Sequence, residues 1–155
     1  MSVYVADERS DPAVGVDLGR LTRLARYVAA DRGVPEAMEL SVLCVDREAM
    51  TALNERHMGA QGPTDVLAFP IDEPGETLPG EPAVLGDVVV CPEIAGEQAT
   101  ERGATAQAEI DVLVVHGILH LLGHDHAEEG EREEMFGLTD RLLHTFTATE
   151  EEAAR

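Results

Sequence analysis

Residues 105–122 carry the longest helical pattern in the chain, with Ile110, Val112, Leu113, Val114, Val115, Ile118, Leu119, Leu121 and Leu122 covering most of its circumference. A helix apolar nearly all round has no solvent face of its own, so the rest of the fold must wrap it. The β-branched run lowers helix propensity and leaves a strand over residues 112–115 as the competing reading. Late in the segment stand His116 and His120. Four residues apart, they lie one turn from each other on one helix face. Each ring in a buried helix carries a polar nitrogen that must find a partner, and leaving one unpaired costs roughly 1–3 kcal/mol. A metal ion removes that cost while holding both rings neutral.

Beyond the pair, Gly123 can end the helix in a left-handed turn and let the chain fold back toward it with His126. Three imidazoles at the spacing His-x3-His-x5-His, with a fourth position left to water, form the layout of a catalytic zinc site. One Zn2+ per chain is therefore expected on His116, His120 and His126, although copper or nickel also accept three imidazoles. Asp125 can orient a ligand ring by accepting its second N–H, and Asp87 is a further candidate for that role. His124 is surplus to the set; it points to solvent, donates to substrate or serves as an acid. The spacing is similar to His-Glu-x-x-His-x-x-Gly-x-x-His of metallopeptidases, in which the residue after the first histidine is the glutamate that handles the proton. Here that residue is Gly117. The cage is present and the peptidase base is missing, which makes a metallopeptidase the least favoured enzyme reading.

The size, 155 residues, suits one domain over residues 1–155 with one real hydrophobic core. No apolar run approaches the ~20 residues needed to cross a bilayer. The start, Met1-Ser2-Val3-Tyr4-Val5-Ala6-Asp7-Glu8, places no basic segment before an apolar one and so reads as no signal peptide. A cytoplasmic protein with no membrane partner is expected. Cys44 and Cys91 lie in separate strand-like segments and show no spacing motif, which suits two buried thiols rather than a disulfide framework. The formal net charge is -20, and every basic residue is arginine. Such a field repels polyanions at long range and argues against non-specific nucleic-acid binding, while leaving room for a local arginine patch. Aromatic residues make up only 3% and tryptophan is absent, so an extended base-stacking surface is not expected.

Alternation and capping signals give the remaining elements. Strands are expected over residues 2–6, 40–44, 64–70 and 85–91, and helices over 17–32, 46–56, 92–103 and 128–146. Residues 71–83, rich in Pro, Gly and Glu, read as an exposed loop, and the acidic end at 147–155 as a frayed tail. Arg20, Arg23 and Arg26 share a flank of the first helix, either as a solvated face or as a phosphate-contacting patch. The order implies an α+β fold, a small mixed β-sheet of about four strands covered by helices.

Three motifs together carry a family resemblance. His116-Gly117-Ile118-Leu119-His120-Leu121-Leu122-Gly123-His124-Asp125-His126, Gly62-Pro63-Thr64-Asp65-Val66-Leu67-Ala68-Phe69-Pro70 and Leu85-Gly86-Asp87-Val88-Val89-Val90 resemble, in order and separation, the signatures of the YbeY-type rRNA maturation factors, bacterial zinc-dependent endoribonucleases. The resemblance covers nearly the whole chain. It implies a zincin-like domain with a buried metal-binding helix, zinc on His116, His120 and His126, and cleavage of single-stranded RNA. It further implies a role in maturing the 3′ end of small-subunit rRNA and in ribosome quality control, with the small subunit and ribosome-associated proteins as partners. One position departs. Many members carry an arginine shortly before the Thr-Asp-Val segment, and that place holds Met58 here, which cannot clamp phosphate. Arg56 or an arginine of the first helix is then left to offset phosphate charge, and His57 or His124 to move a proton. The alternative is a metal-binding ribosome assembly factor with little nuclease activity.

Overall fold

The structure, a computed structural model, describes residues 1–10, 12–76, 78, 80–124 and 128–155. Local capping chemistry sets several of the helix starts. Asp17 accepts from the Arg20 N–H ahead of α1 (Leu18–Asp31), Asp46 from the Ala49 N–H ahead of α2 (Arg47–Met58), and Thr105 from the Ala108 N–H ahead of α4 (Ala106–Leu121). Each cap satisfies a backbone donor that the first helical turn leaves over. α3 (Pro92–Arg102) opens instead on a proline, which has no such donor to satisfy.

The strands are β1 (Ser2–Asp7), β2 (Met38–Cys44), β3 (Val66–Pro70) and β4 (Ala83–Val90). They form one sheet in the order β1-β2-β4-β3. β1, β2 and β4 run parallel and β3 pairs antiparallel to β4 at an edge. The mixed α+β architecture expected from the element order is what forms. The main core lies on the sheet face covered by α1, α4 and α5 (Glu129–Ala153), where Leu40, Val42, Leu85, Val88 and Val90 meet Leu21, Leu24, Ile118, Leu119 and Leu142. The opposite face carries a smaller cluster in which Met50 of α2 packs with Val45, Leu67, Val89 and Cys91.

α4 sits in the middle of this arrangement. Ile110, Val114, Val115, Ile118 and Leu119 are all fully buried, and burying each such side chain contributes about 1.5–3 kcal/mol. That gain outweighs the modest helix propensity of the β-branched run, so residues 112–115 are helical and the strand reading falls. A second expectation also changes. The acidic end expected to fray from residue 147 remains helical to Ala153. Its Glu150 accepts from the Arg23 guanidinium of α1 at 2.7 Å, which gives that stretch a tertiary anchor invisible in its own composition.

Candidate active site

The histidine helix lies close on the sheet because Gly117 permits it. A Cβ at that position would stand 2.5 Å from Val88 Cγ1, so residue 117 faces β4 with no room for a side chain. The position occupied by glutamate in the metallopeptidase pattern therefore points into the core here. Gly86 plays the matching part on β4. Its φ is +152°, and a Cβ there would lie 2.8 Å from Leu121 Cδ2 and would run into the Phe69 carbonyl. The two glycines let β3, β4 and the end of α4 converge, which gives a physical reason for the glycine in Leu85-Gly86-Asp87.

His116 and His120 are both half-buried on α4. α4 then ends at Leu122 and Gly123, the glycine at φ +93°. The Gly123 N–H donates to the His120 carbonyl at 3.0 Å and the His124 N–H to the Leu119 carbonyl at 3.0 Å, so the turn expected at Gly123 is present. It delivers His124 to the wall of a cavity of about 700 Å³, whose lining includes His120, Arg32, Asp72 and Glu73. Arg32, Asp72 and Glu73 carried no motif in the sequence; the turn after α1 and the loop after β3 bring them there. Asp72 also accepts from the Val84 N–H at 2.9 Å, which fixes that loop against β4.

His126 and Asp125 lie outside the described residues. Among the described residues, no group of three or more possible metal ligands assembles. The two histidines that are described have the chemistry a borderline metal ion takes, paired imidazoles one turn apart on a rigid, buried element.

Other sequence candidates fall elsewhere. Asp87 projects from β4 on the α2 face, the opposite side of the sheet from α4, because strand neighbours alternate and Val88 faces the histidine helix. It is therefore not placed to orient His116 or His120. It lines a separate cavity of about 460 Å³ together with Glu8, Phe69 and the exposed His57. His57 meets Phe69 edge-on with ring centroids 5.2 Å apart. Arg56 is exposed on α2. Met58, at the end of the same helix, is 50% exposed.

The arginines of α1 are largely committed. Arg20 donates to Asp111 at 2.9 Å and Arg23 to Glu150, so two of the three flank arginines tie helices together, while Arg26 is exposed. Arg9 is held by Asp7, Arg47 by Glu93 and Glu97, and Arg102 by Glu109. Arg32 differs. It shares the Asp31 carboxylate, at 3.4 Å, with Arg141 at 3.2 Å. It brings a guanidinium to a cavity whose lining also carries the acids Asp72 and Glu73.

The Gly62-Pro63-Thr64-Asp65 stretch is tied to α2 and α3 by side chains. Asn54 donates to the Gly62 carbonyl at 2.9 Å, and Asp65 accepts from the Val66 N–H at 2.8 Å and from Gln98 of α3. These bonds fix the entry to β3.

The family model "Endoribonuclease YbeY" matches residues 11–147. The chain belongs to the endoribonuclease YbeY family. A protein named Endoribonuclease YbeY from Thermobifida fusca is 51% identical over the full length of both chains. One of the same name from Mycobacterium tuberculosis is 45% identical over 99% of this chain and 88% of its own. The solution structure of TM1509 from Thermotoga maritima superposes with a TM-score of 0.62 at 26% identity, covering 97% of this chain and 93% of that one. The YbeY-type fold is thus common to these chains, and the three motifs described above are its histidine helix, its edge strand and its neighbouring strand.

Proposed function

We propose that this single-domain chain is a zinc-dependent endoribonuclease specific for single-stranded RNA, acting in 3′-end maturation of small-subunit rRNA and in ribosome quality control in the cytoplasm. His116, His120 and His126 would hold the ion, with Asp125 as the group to accept a ligand ring's second N–H. The observation that carries this reading is the pair His116 and His120 on a buried helix whose glycine turn opens onto the cavity lined by His120 and His124. Zinc bound there supplies a Lewis acid for a phosphate oxygen and lowers the pKa of bound water. Arg32, whose side chain lines this cavity, offsets negative charge on the phosphate. It stands in for the arginine missing at Met58. His124 and Glu73 line the same cavity and are the groups available to move a proton. His57, on the far face of the sheet, has no part in this assignment. The partners on this reading are RNA and the ribosomal small subunit; no helix among the described residues is long and apolar enough to cross a membrane.

The test compares the parent protein with His120→Ala on a single-stranded rRNA fragment, with bound metal quantified in both. Loss of the metal together with at least a ~100-fold loss of cleavage is expected. A metal-free His116→Ala protein that cuts at the parent rate overturns the mechanism. Product ends separate the routes: a 2′,3′-cyclic phosphate marks attack by the neighbouring hydroxyl, and a 5′-phosphate with a 3′-hydroxyl marks attack by water. The exposed Met58 at the family's arginine position supports a second reading, a metal-binding assembly factor with slight nuclease activity. On that reading, binding to the small subunit survives loss of the histidines.

A further inference from the structure

Of the three phenylalanines, Phe146 is buried and Phe69 half-buried, whereas Phe136 of α5 is 42% exposed. α5 reaches the core through Met135, Thr139, Leu142 and Phe146, so anchoring the helix does not require Phe136. The exposed ring is nevertheless fixed. It meets the His116 ring with centroids 5.1 Å apart and planes at 60°. The guanidinium of Arg132, one helical turn earlier, lies over it at 5.4 Å from the centroid. Among the described residues this ring is the partner of Arg132, even though Glu128, Glu131, Glu133 and Glu134 flank it in sequence.

We propose that Phe136 and Arg132 form the surface on which one unpaired base of the substrate RNA stacks, beside the histidine pair. The inference rests on the reading of the site as one that cuts RNA. A planar guanidinium backed by an aromatic ring presents an apolar, polarisable plane with a positive charge in it, which suits the face of a nucleobase. The acids along α5 repel phosphate but leave the neutral face of a base unopposed. Stacking is tolerant of base identity, because every base has a π-face. It also selects single strands, since bases in a duplex already have their faces covered by neighbours. The base lies on the outer face of the guanidinium, with the Phe136 ring behind it and His116 at its edge.

The experiment measures binding of a fluorescent single-stranded oligoribonucleotide, verified intact afterwards, to the full chain in its metal-loaded form, with metal content determined for every variant. Phe136→Ala and Arg132→Lys are each expected to raise Kd at least ~5-fold with metal content unchanged. Arg132→Lys keeps the charge and loses the plane. Phe136→Trp is expected to bind as well as the parent or better. Parent-like binding by Phe136→Ala, or full rescue by lysine, overturns the proposal while leaving the cleavage reading intact. Weaker binding that tracks loss of metal overturns it in favour of a ring that only props His116. A parent chain that binds no single-stranded RNA sinks this proposal and the activity reading together.

Discussion

Arg20 on α1 donates from Nε to the Asp111 carboxylate on α4 at 2.9 Å, joining the first helix of the chain to the helix that carries the histidines. The Asp111 side chain is only 6% exposed and also accepts from Gln107 at 2.9 Å. Removing one partner from a pair this deep leaves a buried charge with little to offset it. Arg20→Ala is expected to destabilise the fold by on the order of 3 kcal/mol in urea unfolding, a larger loss than Arg23→Ala at the exposed pair with Glu150.

Two carboxylates respond to pH in opposite senses. Burial pushes the Asp111 carboxyl above its usual range, against the hydrogen bonds from Gln107 and Arg20. The folded state then holds that proton more tightly than the unfolded state. The contribution of Asp111 is greatest below the ordinary carboxylate pKa of about 4 and is lost as pH rises through its folded value. Asp7 is the reverse: hydrogen bonds from Arg9 hold it low, so its contribution is complete above about pH 4 and disappears as pH falls through its folded value. In unfolding measured across this range, the advantage of the parent over Asp111→Asn should shrink as pH rises. Its advantage over Asp7→Asn should grow.

The contact of Gly117 with Val88 predicts that Gly117→Ala costs about 1–3 kcal/mol, since a methyl group there must push α4 away from β4. The melting temperature should fall by roughly 2–12 °C. Gly117→Glu should not yield a peptidase. It should fail to accumulate as folded protein, because the added carboxylate points at the sheet.

Gly123 separates stability from function. Its φ of +93° disfavours any side chain, so Gly123→Ala should cost about 1–2 kcal/mol of stability. The same change disturbs the turn that delivers His124 to the cavity wall. If the proposed metal site is right, titration with zinc should show a drop in affinity much larger than that stability loss accounts for.

Burial raises the Cys44 thiol to about 11. Cys91 is also fully buried and belongs to the core on the other face of the sheet. Native protein at pH 8 should therefore leave both thiols unmodified by a disulfide reagent over the time in which denatured protein gives two equivalents, and oxidation should form no internal bridge.

What could be read from the chain was local. Asp17, Asp46 and Thr105 announce helix starts because a cap acts on the next three residues, and Gly123 announces a stop for a similarly short-range reason. The spacing of His116 and His120 needs only the pitch of a helix. The misplaced assignments all depend on distant partners. Asp87 falls on the wrong face for a metal partner because its parity is set by the β2–β4 register, which shifts at Glu39/Leu40. Arg20 and Arg23 find carboxylates 91 and 127 residues away, and the second of these anchors the helical acidic end. Arg32 and Phe136 reach the histidine region from α1 and α5, and no local pattern signals either approach.

The habit of placing guanidinium groups on the protein's own carboxylates has a consequence for how a strand arrives. With a net charge of -20 and much of its cationic inventory neutralised internally, the body of the molecule repels an incoming polyanion once the two come within a few Debye lengths, each about 8 Å at physiological ionic strength. Moderate added salt should therefore speed encounter by shortening the reach of that repulsion, before higher concentrations weaken the contacts proposed at Arg32 and Arg132. Turnover plotted against ionic strength should pass through a maximum, where a basic nuclease would decline from the outset.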